Sequence, residues 1–215
     1  MFLPAWRPGL RTAILMTKVH PIEAESYRIL RSRVDLSALP PLTRAVTERV
    51  IHATADFDYV TDLVCDEGAL QRGMSALRRE APVIADVAMV AAGITGYPVT
   101  CKIGDSLAAR LARTTDITLS AAAVRLAHGE AGLGAVWLVG CAPTALREII
   151  SRQVEPALVI GVPVGFVDAA ESKDALRASG LPALSNVSEK GGSAVAVAAF
   201  NALLRIARNP AKDSS

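Results

Sequence analysis

The sequence predicts an α/β protein: a single three-layer domain, with a mostly parallel sheet and helices on both faces. Three observations predict it. Short apolar runs alternate with longer segments of helical periodicity from residue 82 onward, the pattern of strands joined by crossover helices. Hydrophobic residues make up 51% of the 215 residues and aromatics only 4%, so the core is built from Ala, Val, Leu and Ile, which suits helices packed on a parallel sheet. The apolar runs end in glycine and polar residues, at Gly140, Gly161 and Gly165 among others. Ligands bind beyond the carboxyl ends of the strands in such sheets.

Taken in order, a helix is expected over 21–34, with Pro21 suited to the first turn and Glu23 and Glu25 favouring its positive end. Pro40-Pro41 opens a second helix, on which Leu42, Val46, Val50 and Ala53 form an apolar stripe. A third covers 67–80. Strand-like runs follow at 82–87, 99–103, 135–140 and 157–161, with helices at 105–113, 120–128 and 143–153 between them. A helix through 171–178, a short run at 183–185 and a last helix over 192–207 complete the pattern. No repeat or low-complexity linker interrupts the chain, so residues 20–208 read as one domain. Residues 1–19 are expected to be a disordered extension, mildly apolar but broken as a signal peptide by Arg7 and Arg11. Residues 209–215 are expected to be a disordered tail.

Several function classes drop out. A net charge of +2 without a basic, aromatic-interleaved stripe gives no reason to expect nucleic acid. No apolar run reaches the ~20 residues that span a bilayer, so no membrane partner is expected. Cys65, Cys101 and Cys141 are far apart and lack metal-ligand spacing, so no metal is expected. Cys101 and Cys141 lie in strand-like runs and read as buried free thiols of a cytoplasmic protein. The phosphate-binding loop, the dinucleotide glycine pattern, the Gly-x-Ser-x-Gly elbow and a His-x-x-x-His pair are all missing from the sequence. Gly161-Val162-Pro163-Val164-Gly165 is glycine-spaced, but its proline removes an amide that a phosphate would use.

His52 stands out from what remains. It ends the stripe of the second helix and runs into Thr54, Asp56 and Asp58. Histidine gives and takes a proton near neutrality, although most histidines so placed are structural. Arg49, three residues earlier, shares its helix face. Arg125 lies in a small-residue helix, where an ordinary surface arginine fits equally well. Lys190-Gly191-Gly192-Ser193 opens the last helix with amides suited to a carboxylate, or is merely a flexible helix start.

Seven collinear segments resemble the precorrin-8X methylmutase family. They are His20-Pro21-Ile22-Glu23-Ala24-Glu25-Ser26-Tyr27, Ile51-His52-Ala53-Thr54-Ala55-Asp56, Asp86-Val87-Ala88-Met89-Val90-Ala91-Ala92-Gly93-Ile94, Ala142-Pro143-Thr144-Ala145-Leu146, Gly161-Val162-Pro163-Val164-Gly165-Phe166-Val167, Ala169-Ala170-Glu171-Ser172-Lys173 and Lys190-Gly191-Gly192-Ser193-Ala194. The resemblance implies an isomerase of cobalamin synthesis that moves a ring methyl from C11 to C12 of precorrin-8X, giving hydrogenobyrinate, or acts likewise on the cobalt-containing substrate. It implies no cofactor, and a homodimer with the corrinoid bound near the subunit interface. His52 falls on the catalytic histidine of the family. Ser26 and Arg49 fall on its substrate contacts, Arg125 on a further one. Four departures are visible: Cys141 where the family has asparagine, Leu119 where it has arginine, Asp168 where it has glycine, and Ser188-Glu189 before Lys190. Cys141, Leu119 and Asp168 motivate a second reading, a corrinoid-binding carrier with the same fold and little turnover; the retained His52 and Arg49 argue against it.

Overall fold

The computed structural model describes residues 20–152 and 154–209. The expectations for residues 1–19, and for the tail beyond Asn209, lie outside them. Strands β1 (Leu63–Cys65), β2 (Val83–Ala85), β3 (Val136–Val139), β4 (Leu158–Gly161) and β5 (Ala183–Asn186) form one sheet in the order β1-β5-β4-β3-β2. β2, β3, β4 and β5 pair in parallel, and β1 pairs antiparallel with β5 at the edge.

Successive strand residues face opposite layers, the two-residue period of a strand. Val136, Leu138, Leu158, Ile160 and Leu184 share a core with α2 (Pro41–Thr54), α4 (Glu67–Arg78) and α10 (Ser193–Arg208). Trp137, Val139 and Val159 face the other way and pack with α7 (Leu119–Ala131), α8 (Pro143–Ser151) and α9 (Ala169–Ala178). These are the three layers the sequence predicts. α1 (Pro21–Arg33) lies against α2, and α6 (Ser106–Thr115) against α7. None of the described helices is long and apolar enough to cross a membrane.

Three features differ from expectation. The run at 99–103 is not a strand: only Thr100 reaches the sheet, bridging to Ile84 before the chain turns away at Ile103 and Gly104. β1, the short α3 (Tyr59–Asp62) before it and α5 (Ala88–Ala92) were not anticipated, because three to five residues are too short to show a period. Cys141 is exposed and Cys101 half-buried, rather than buried. β3 ends at Val139, and the chain turns outward immediately after Gly140.

The carboxyl ends of β3 and β4 meet the start of α10. A Cβ on Gly140 would lie 2.9 Å from the Ser193 Cα, so the strand end passes directly against the first turn of that helix. Gly191, at φ +147, has the Val162 carbonyl oxygen 2.2 Å from where a Cβ would sit. Only glycine fits there.

Candidate active site

α1 delivers three side chains onto the last turns of α2. Proline at the first turn and the His20 side chain, which accepts the Ile22 amide at 3.3 Å, start α1. Spacings of three and four residues then turn Glu23, Ser26 and Tyr27 toward α2. The half-buried His52 meets two of them. Its Nδ1 lies 2.8 Å from the Ser26 hydroxyl, and its ring stacks on Tyr27 with centroids 4.8 Å apart and planes 9° from parallel. The imidazole is therefore fixed in plane and in rotation. The serine bond occupies Nδ1 and leaves Nε2 as the nitrogen that can exchange a proton with a ligand.

Arg49 shares that face, as its spacing predicts. It donates from Nη1 to Glu23 Oε1 at 3.0 Å and to the Tyr27 hydroxyl at 3.4 Å, while Arg31 lies over the Tyr27 ring, 5.6 Å from its centroid. Arg49 does not pair with Asp56. Asp56 instead accepts from Lys190 Nζ at 2.8 Å, and Asp58 joins the same ammonium at 2.5 Å. The ammonium holds the Asp56 carboxyl below its usual range.

Lys190 and Gly191 thus stand next to the end of the His52 helix, but the lysine is engaged by two carboxylates. The Gly192 amide is also taken, donating to the Val162 carbonyl at 2.8 Å, so the start of α10 offers fewer open amides than its sequence suggests. Arg125 is the residue the fold does not bring in. It sits on α7 in the opposite layer and forms an ion pair with Glu148 of α8 at 2.8 Å, with Arg152 on the same carboxylate. Two of the departures have a structural account. Asp168 sits at φ +60, a conformation aspartate tolerates better than most residues, and its carboxylate takes a two-pronged pair from Arg147, with Nε at 3.0 Å. Leu119 is partly exposed at the start of α7.

Sequence reasoning missed Tyr27, Glu23 and Asp86. Asp86 is buried at the end of β2 and accepts the amides of Gly140 at 3.2 Å, Cys141 at 2.8 Å and Ala142 at 3.0 Å, which shapes the β3–α8 connection. Burial pushes its carboxyl upward against the pull of those amides. An acid closing an otherwise apolar run was the available signal. Among the described residues no cluster of His, Cys, Asp and Glu has the makings of a metal site.

The family model described as Precorrin-8X methylmutase matches residues 21–206. The chain belongs to the precorrin-8X methylmutase family. It is 41% identical over 168 residues to the cobalt-precorrin-8 methylmutase of Methanocaldococcus jannaschii, covering 76% of this chain and 80% of that protein. To the cobalt-precorrin-8 methylmutase of Salmonella typhimurium it is 41% identical over 195 residues, covering 85% and 93%. Among solved structures, the precorrin-8X methylmutase of Thermus thermophilus superposes with a TM-score of 0.81 at 36% identity, covering 90% of this chain and 98% of that one. Methylmutase-family membership and the three-layer α/β architecture therefore agree.

Proposed function

We propose that this chain is the methylmutase itself, moving the ring methyl of precorrin-8X, or of its cobalt-containing counterpart, from C11 to C12 in cobalamin biosynthesis. The observation that carries the reading is His52 held by Ser26 and Tyr27 at the end of α2, within a family match that spans the domain. Substrate and product are isomers, so a proton lent to the ring is returned and no atom is added or lost. A macrocycle held in one conformation beside one acid/base group meets that need. Ser26 acts here first on His52, and reaches substrate through it. Arg49 suits the carboxylates on the rim of a corrinoid, and Lys190 would meet one by exchanging Asp56 or Asp58 for it.

The test is direct. Purified protein mixed with precorrin-8X, and separately with cobalt-precorrin-8, is followed by its visible spectrum, because the shift changes ring conjugation. Conversion to the corrin product supports the enzyme, and the substrate converted faster is the native one. Binding with an unchanged spectrum for both would instead mark a carrier.

The working form is read as a cytoplasmic homodimer. Phe166 is 95% exposed, with Val164 and Val167 beside it on the β4–α9 loop, and Met89 is 72% exposed after β2. So much bare apolar surface at the carboxyl edge suits a macrocycle and a second copy. Light scattering at micromolar concentration should give a mass near twice the 22.5 kDa of one chain, and a monomer would overturn the dimer.

Arg49 separates binding from bracing. Removing a partly desolvated arginine–carboxylate pair costs on the order of 2–5 kcal/mol, so Arg49→Ala should weaken binding of hydrogenobyrinate at least about tenfold by titration, with Arg49→Lys recovering only part. If Arg49 only braces α2 against Glu23 and Tyr27, the alanine variant will melt earlier yet bind product unchanged.

A further inference from the structure

Lys173 of α9 is fully buried, and no role in the reaction is assigned to it. Its ammonium donates to the Asn186 side-chain oxygen at 3.0 Å, to the Lys190 carbonyl at 2.7 Å and to the Ser188 carbonyl. Three donors meet three acceptors, one on the last residue of β5 and two on the β5–α10 connection. Asn186 adds its own amide to the Lys190 carbonyl at 2.8 Å and to Asp62 at 2.8 Å. Asp62 in turn accepts the backbone amides of Val187 at 3.1 Å and Ser188 at 2.7 Å, and the Ser188 hydroxyl at 2.9 Å. The loop is thus gripped from within by a closed polar network. Its outer side chain, Lys190, reaches the other way and clamps Asp56 and Asp58, four and six residues beyond His52.

We propose that Lys173 is a positioning residue for the proposed isomerisation: it fixes the 187–191 loop from below so that Lys190 holds the end of α2, and with it the His52 imidazole, in register with Ser26 and the substrate. Packing alone does not explain a lysine there. A buried cation is costly, and an apolar residue of similar length fills such a site at least as well. Burial pushes the Lys173 ammonium down to about 8, with Asp62 opposing that shift, so the site bears a cost that a methionine would avoid. The three oxygens it gathers belong to the end of β5 and to the loop that follows, which touches both the start of α10 and the end of the His52 helix.

The inference rests on the methylmutase reading, so one of its readouts is independent of turnover. Histidine-labelled protein gives ring resonances for His20, His52 and His128, assigned through His52→Ala. In Lys173→Met the His52 resonances should move while those of His20 and His128 stay. If the wild type converts its substrate, kcat per folded molecule in the variant should fall about tenfold or more, with KM changed less. Ile149→Ala, in the core of the opposite layer, serves as a control that melts earlier without moving His52. Should Lys173→Met not fold, Asp62→Asn weakens the same loop from its more exposed side and should shift His52 in the same way. A His52 signal and a kcat that stay at wild-type values in the folded variants would overturn the proposal. An inactive wild type whose His52 still shifts in Lys173→Met would sink the methylmutase reading and leave the positioning role standing.

Discussion

Replacing His52 with alanine is expected to reduce conversion of precorrin-8X by about 10²–10⁴-fold, the range that one positioned acid/base group contributes. Product binding should change little. His52 is half-buried and contributes one stacked ring and one hydrogen bond to α1, so its loss leaves the contacts of Arg49 with Glu23 and Tyr27 in place. Ser26→Ala provides a graded companion. It keeps the imidazole and its stacking on Tyr27 but frees Nδ1, so the ring is free to present either nitrogen. Turnover should fall less than in the histidine variant. Single-turnover spectra of the two variants at saturating substrate measure the chemical step alone. A His52→Ala protein that converts substrate at a rate near wild type would remove the imidazole from the mechanism, whatever the outcome for Ser26.

The layered architecture was legible because its strands are buried on both faces. Val136 to Val139 and Leu158 to Gly161 are buried along their whole length, so they read as unbroken apolar runs between helices. The same logic misled at 99–103, where an apolar run passes the sheet edge and pairs at one residue only. β1 escaped notice because its three residues are only partly covered, and its partner β5 lies more than a hundred residues later in the chain. Within the site, the shared face of Arg49 and His52 was legible through helix spacing, while the acid/base role of His52 is proposed from family resemblance and from its contacts with Ser26 and Tyr27. Their partners were not legible. Glu23 is 26 residues from Arg49, and which of several acids takes an arginine is decided by how α1 crosses α2, a tertiary fact that periodicity does not encode. Arg125 shows the same limit in reverse, since it lies outside the seven matching segments and the sheet separates it from His52. Lys173 lay inside a quoted motif, but its role depends on three oxygens of a loop that the sequence does not bring near it.

Asp86→Ala is expected to destabilise the fold by about 3–5 kcal/mol, the largest effect on stability among single changes around the site. The carboxylate is the acceptor for the amides of Gly140, Cys141 and Ala142. Removing it strands the buried Gly140 donor and the part-buried donors of Cys141 and Ala142, at about 1–3 kcal/mol for a buried unmade bond, less for the two that water can reach, and with less than full additivity. For a domain of this size that corresponds to a fall in Tm of roughly 10 °C. Asp86→Asn should cost less, since one oxygen still accepts. The comparison also has a pH signature. Burial raises the folded Asp86 carboxyl above its ordinary value of 3.8, so folding favours its protonated form. Its contribution is then fully present below that ordinary value and is lost as pH rises through the folded one. Asparagine carries no such dependence, so the stability deficit of Asp86→Asn relative to wild type should be larger near pH 4 than near pH 7. Chemical denaturation of both proteins at the two pH values measures this difference, in which the other titrating groups cancel. A deficit that grows with pH would mean that the three amides outweigh burial and that the folded carboxyl lies below its ordinary value. A loss under about 1 kcal/mol for Asp86→Ala would show that the β3–α8 connection satisfies its amides without this side chain.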